Sequence, residues 1–184
     1  MKRKLLLFCL CLAMVLSTMT PLAALAAPPA NFSASGNINY ISPSSLSQIS
    51  PAGKSGRWVV FERKLGGTLS GDIEGDFVLT YRANVDENQA GSLTGSLSLG
   101  DGSYLTRLSG KSQPLEMAYF EPFQTYLPRV AISGSWTFIK GTQGNGDFDA
   151  WFIFIPEIDA AGNVHIGPIV ASAFELTGQW QPDS

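Results

Sequence analysis

The sequence predicts an all-β protein: a single antiparallel β-barrel of about eight strands, with a sandwich as the alternative, preceded by a cleaved signal peptide. Three observations carry this. Apolar and polar residues alternate with period two over most of the chain beyond residue 36, as strands with one buried face require. Turn residues interrupt the alternation at intervals typical of barrels and sandwiches. All 19 glycines lie beyond residue 26, about 12% of that part against ~7% on average, and glycine serves tight turns, bulges and barrel corners.

The first 26 residues read as an address. Lys2, Arg3 and Lys4 precede an apolar run over 5–16, and Ala24-Leu25-Ala26 fits small-x-small cleavage. The run is shorter than the ~20 apolar residues a membrane span needs, so a secreted, extracellular or cell-envelope location and no membrane span in the mature form are expected. Cys9 and Cys11 leave with this segment. The mature chain then has no thiol, which excludes disulfides, thiolate catalysis and cysteine zinc sites. Three of 12 basic residues leave as well, so nine face 15 acidic ones, a net charge of −6. That sign argues against nucleic acid and anionic membrane surfaces.

Residues 27–35 read as a flexible leader, carrying a short N-glycosylation pattern at Asn31-Phe32-Ser33, and 36–184 as one barrel domain. Residues 36–41 alternate Ile38 and Tyr40 with asparagines, a first strand. A Ser/Pro/Gly-rich loop follows, with Ser42 placed to cap a short helical turn over 43–49. Residues 57–65 read as a strand and Gly66-Gly67 as a turn. Over 68–85, Ile73, Phe77, Leu79 and Tyr81 share one face and Asp72, Glu74, Asp76 and Arg82 the other, with Gly75 marking a bend. Strands follow at 91–99 and 103–109, joined through Asp101-Gly102.

Residues 111–129 hold Met117, Tyr119, Phe120, Phe123, Tyr126 and Leu127, broken by Pro114, Pro122 and Pro128. They read as an irregular segment packed on the core or closing as a lid. The chain is organised around 132–155: two apolar runs joined by a Gly-rich turn over 140–147, a hairpin. Trp136 and Phe138 share a face of the first run. The second, 150–155, is apolar on both faces and expects cover on both sides. Residues 164–180 close the chain as one broken strand or two, interrupted at Gly167-Pro168.

Candidate chemistry is sparse. His165 is the single histidine and no G-x-S-x-G elbow occurs, so neither a serine triad nor a typical zinc site is indicated. The acidic row Asp72, Glu74, Asp76 reads as a solvated strand face. Asn145, Asp147 and Asp149, read as loop residues, are weak candidates for a hard cation but lack EF-hand spacing. Glu62, Glu116, Glu121, Glu157 and Glu175 offer no spacing that selects a glycosidase pair. The Gly-rich turns lack the helix that phosphate loops need. No cofactor is implied. The ligand-binding candidates are Trp136 and Trp151, assigned to the barrel interior or its mouth, with Phe138, Tyr81 and Phe77, because pockets are lined mostly by apolar and aromatic groups.

Two stretches carry a family pattern. Residues 71–81, GDIEGDFVLTY, resemble the G-x-h-x-G-x-h-x-h strand of small secreted barrels related to dirigent proteins and allene oxide cyclases. Residues 134–142, GSWTFIKGT, resemble the later strand that ends in Gly-Thr-Gly, although Gln143 stands where the second glycine is expected. The resemblance covers about residues 66–154. It implies a calycin-like eight-stranded barrel whose interior holds an apolar ligand, and no residue here matches the cyclase chemistry. The function expected is a secreted, non-catalytic barrel binding a small apolar ligand or a partner surface. An isomerase/cyclase-type or carbohydrate-active barrel enzyme, and an oligomeric cell-envelope structural protein, are the alternatives.

Overall fold

The structure, a computed structural model, describes residues 28–42, 49–51, 58–86, 88–100, 102–162 and 164–181. The expected signal segment, residues 43–48 of the helical turn expected over 43–49, and Asp101 of the expected turn lie outside the described residues; Ile49 belongs to β2. The described chain forms β1 (Ala30–Ser42), β2 (Ile49–Pro51), β3 (Trp58–Gly71), β4 (Gly75–Val85), β5 (Gly91–Leu99), β6 (Tyr104–Ser112), β7 (Glu116–Phe120), a 3-10 turn (Glu121–Phe123), β8 (Thr125–Lys140), β9 (Gln143–Ile158) and β10 (Val164–Gln181).

Eight strands close into an antiparallel barrel in the order β1-β10-β9-β8-β6-β5-β4-β3, sealed by β1 pairing with β3. Closure removes the exposed edges an open sheet would present. The short β2 pairs only with the start of β3, and β7 extends β8 beyond the barrel wall. One rim carries the β3–β4, β5–β6 and β8–β9 turns. The other carries the β4–β5 and β9–β10 turns and the β7–β8 hairpin.

Alternation puts Phe77, Leu79, Tyr81, Ala83 and Val85 of β4 inside, and every other strand of the wall contributes likewise. Leu79, Leu97, Phe154 and Phe174 have no accessible surface, and each such side chain contributes roughly 1.5–3 kcal/mol on burial. Phe77 and Phe174 stack across the interior at 4.5 Å. Where β1 and β10 diverge past Gly36, the Ser172 hydroxyl takes over from the ladder. It accepts from Ile38 N at 2.9 Å and donates to Ile38 O at 3.0 Å.

Four expectations are corrected. The leader is not free from residue 30 onward: Phe32 and Ala34 of β1 are buried, and Asp72 fixes this strand by accepting from Ser33 N at 2.7 Å. Gly66-Gly67 is no turn but lies inside β3. A Cβ on Gly67 would meet Asn37 O at 1.9 Å, so glycine permits close strand approach there. The turn falls at Asp72–Glu74, which removes both carboxylates from the strand face assigned to them. Residues 111–129 are regular: β6 ends, β7 and β8 form a hairpin, and Gln124 closes its tip in the left-handed conformation (φ 51°). The central hairpin turns at Gly141-Thr142, so Asn145, Asp147 and Asp149 are strand residues of β9, not loop residues. β10 is one strand whose register shifts around Gly167-Pro168.

Candidate functional site

Inside the barrel, the indole of Trp136 is 1% exposed. Its cross-strand neighbours are Gly146 on β9 and, one strand further, Gly178 on β10, then Phe32 on β1. Two glycines in a row leave a gap, and the indole crosses it to meet Phe32 edge-on at 5.1 Å. Its Nε1–H donates to Asp147 O at 3.0 Å and Thr177 O at 3.2 Å, which satisfies the buried polar end. Phe138 packs beside it at 5.0 Å. Tyr81, Phe77 and Phe138 all face inward and are buried. Four of the five ligand-binding candidates therefore share the interior, packed on the protein's own side chains.

Trp151 stands apart. By alternation it points outward from β9, half-buried, with the Arg129 guanidinium 5.0 Å from its ring centre. Arg129 is also held by Glu116 at 2.8 Å. The two-sided apolar run is thus divided: Ala150, Phe152 and Phe154 fill the core, while Trp151, Ile153 and Ile155 form an outer strip partly covered by Arg129.

The described carboxylates do not converge. Glu62, Glu116, Glu121, Glu157 and Glu175 are all exposed. Asp147 and Asp149 alternate with Asn145 along the outer face of β9, side by side as strand geometry dictates. Among the described residues no group of three or more His, Cys, Asp or Glu is placed to hold a metal ion. His165 pairs with Asp159 at 3.0 Å on the β9–β10 rim. Among the described residues, the interior also holds the charged side chain of Arg63 and that of Thr106, whose hydroxyl donates to Leu97 O.

Two of the depressions among the described residues bring candidate residues together. One, of about 390 Å³ at the first rim, brings Phe138 and Asn145 together with Gln143, Gln179 and Trp180. The other, of about 520 Å³, lies across β4, β5 and β6 and is lined by Glu62, Arg82, Arg107 and hydroxyls of Thr80, Thr94 and Ser96. Neither Gln179 nor Arg107 was indicated by local pattern, because cross-strand register assembles both sites.

The β7–β8 hairpin concentrates exposed apolar area. Tyr119 opposes Tyr126 with rings 5.3 Å apart, and Met117 opposes Pro128. Alternation puts Met117, Tyr119 and Tyr126 on one face of the hairpin, 58%, 51% and 63% exposed, with Phe123 at the tip 51% exposed. The tip is organised: the Tyr119 hydroxyl donates to Gln124 Oε1 and Gln124 Nε2 donates to Glu121 O, both at 2.9 Å. These large apolar side chains are held open to water on an ordered hairpin. Among the described residues no helix is long and apolar enough to cross a membrane. Compared with protein-family models, curated proteins and solved structures, this chain matches none of them.

Proposed function

We propose that this protein is a secreted, non-catalytic binding barrel whose recognition element is the β7–β8 hairpin, taking an apolar small molecule or the apolar surface of a partner. The observation that carries the reading is the exposed face of Met117, Tyr119 and Tyr126 beside Phe123. The Phe32–Trp136–Phe138 part of the barrel interior is filled by the protein's own aromatics, which supports the rim hairpin as the surface for an apolar ligand. The outward direction of the described carboxylates supports binding over catalysis, since paired carboxylate chemistry needs two groups converging on one substrate. Secretion rests on the signal-like first 26 residues. Kinship with the dirigent and allene oxide cyclase barrels belongs to the same proposal, supported by the eight-stranded closure and the two sequence stretches.

A thermal-shift screen of residues 27–184 against lipophilic molecules and oligosaccharides tests the reading, since a ligand of the native state raises the melting temperature. Apolar compounds are expected to raise it. The double variant Tyr119→Ser/Tyr126→Ser should melt as the parent does and lose that rise. A rise confined to oligosaccharides, or one that survives in the double variant, would place the binding surface elsewhere.

A further inference from the structure

Arg63 carries an unmet demand inside the barrel. It is 3% exposed, and its Nε is buried without a hydrogen-bond partner among the described residues. The Arg129–Glu116 ion pair and the His165–Asp159 hydrogen bond do not involve it. Guanidinium stays protonated, so burial cannot be relieved by losing the charge. A buried charge is tolerated when paired, so this buried donor calls for an acceptor.

The backbone explains how Arg63 comes to face inward. Between Val60 and Arg63 the register of β3 on β4 shifts: Val60 opposes Ala83 and Arg63 opposes Tyr81, so two residues of β3 stand against Arg82 alone. Glu62 sits in this bulge at φ 45°, a conformation non-glycine residues rarely adopt. Without the extra residue, alternation from Val60 would turn Arg63 to solvent. A strained bulge that aims a cation into an apolar barrel reads as a device for a ligand.

We infer that Arg63 is the anchor of an anion site inside the barrel and that it takes a carboxylate. Its planar fork of N–H donors matches a carboxylate at two points, and the inward neighbours Leu65, Leu79 and Tyr81 supply no competing charge. A small free carboxylate and the head of an amphiphile share this chemistry. The inference stands apart from the hairpin reading, because it concerns a different surface.

The test follows the Arg63 Nε–H resonance of residues 27–184, assigned by its loss in Arg63→Lys and in Arg63→Met, while acetate, octanoate, octan-1-ol and phosphate are titrated in turn. A carboxylate should move the resonance and raise the melting temperature. Arg63→Lys should weaken the thermal response about tenfold or more, because an ammonium lacks the fork. Arg63→Met should abolish it and melt no lower than the parent. Equal responses to acetate and octanoate identify a small carboxylate as the source; a response to octanoate alone identifies an amphiphile. The inference is overturned if octan-1-ol or phosphate moves the resonance as much as either carboxylate does. It is equally overturned if neither carboxylate moves it, a result that holds even should Arg63→Met fail to fold.

Discussion

Replacing Trp136 by alanine removes the side chain that bridges the glycine gap between β8 and β1. With the residue 1% exposed, nearly its whole surface counts as buried. A buried aromatic hides some 150–250 Å², which at about 25 cal/mol/Å² is roughly 4–6 kcal/mol. Measured Trp→Ala costs in cores, about 3–5 kcal/mol, agree. The bonds from Nε1 to Asp147 O and Thr177 O add about 1 kcal/mol net. The measured range plus these bonds gives a total near 4–6 kcal/mol, which lowers the melting temperature by about 8–24 °C at 2–4 °C per kcal/mol for a domain of this size. Trp151→Ala is the matched control. It gives up a half-buried outer ring and its Arg129 contact, the latter about 0.5–1 kcal/mol. Urea denaturation of both variants, with unchanged slope, reads the two costs directly. Equal costs, or a loss below ~2 kcal/mol for Trp136→Ala, would refute the assignment of one tryptophan to the core and the other to the outer wall.

Other perturbations test separate joints of the barrel. Ser172→Ala leaves the N–H and C=O of Ile38 without their partner and should cost about 1–3 kcal/mol, with faster amide exchange at Ile38 as the local sign. Gly146→Ala places a Cβ 1.9 Å from Thr177 O. It should cost about 1–3 kcal/mol or more and expose the β9–β10 ladder amides around Asp147 and Thr177 to exchange. Glu116→Gln removes a 2.8 Å pair whose side chains are 56% and 34% exposed, so the change in denaturation midpoint should correspond to less than about 1 kcal/mol. A larger loss would mean that Glu116 holds Arg129 over Trp151.

Period-two patterning made most of the wall legible. Phe77, Leu79 and Tyr81 face inward as their alternation required, and Leu93, Leu97 and Leu99 do the same on β5. The errors have common physical causes. Gly66-Gly67 resembles a turn locally, yet its role is close approach to Asn37, a residue 30 positions away. The prolines over 111–129 mask a hairpin because Pro128 is accommodated within β8 and Pro122 falls in the tip. The candidate site was legible only in its aromatic composition. The same composition describes both a filled core and an exposed patch, and solvent contact separates the two.

The sequence by itself determined the all-β class and the strand periodicity, because these follow from side-chain alternation over neighbouring residues. Only the tertiary structure decided that β1 seals the barrel on β3, that Trp151 faces out while Trp136 faces in, and that the β7–β8 hairpin overhangs one rim. It also decided the direction of Arg63. A single extra residue in β3 reverses which side faces the core, and whether that residue is accommodated as a bulge depends on pairing with β4. Closure and register are set by contacts between distant segments, whereas alternation is a property of a few residues at a time.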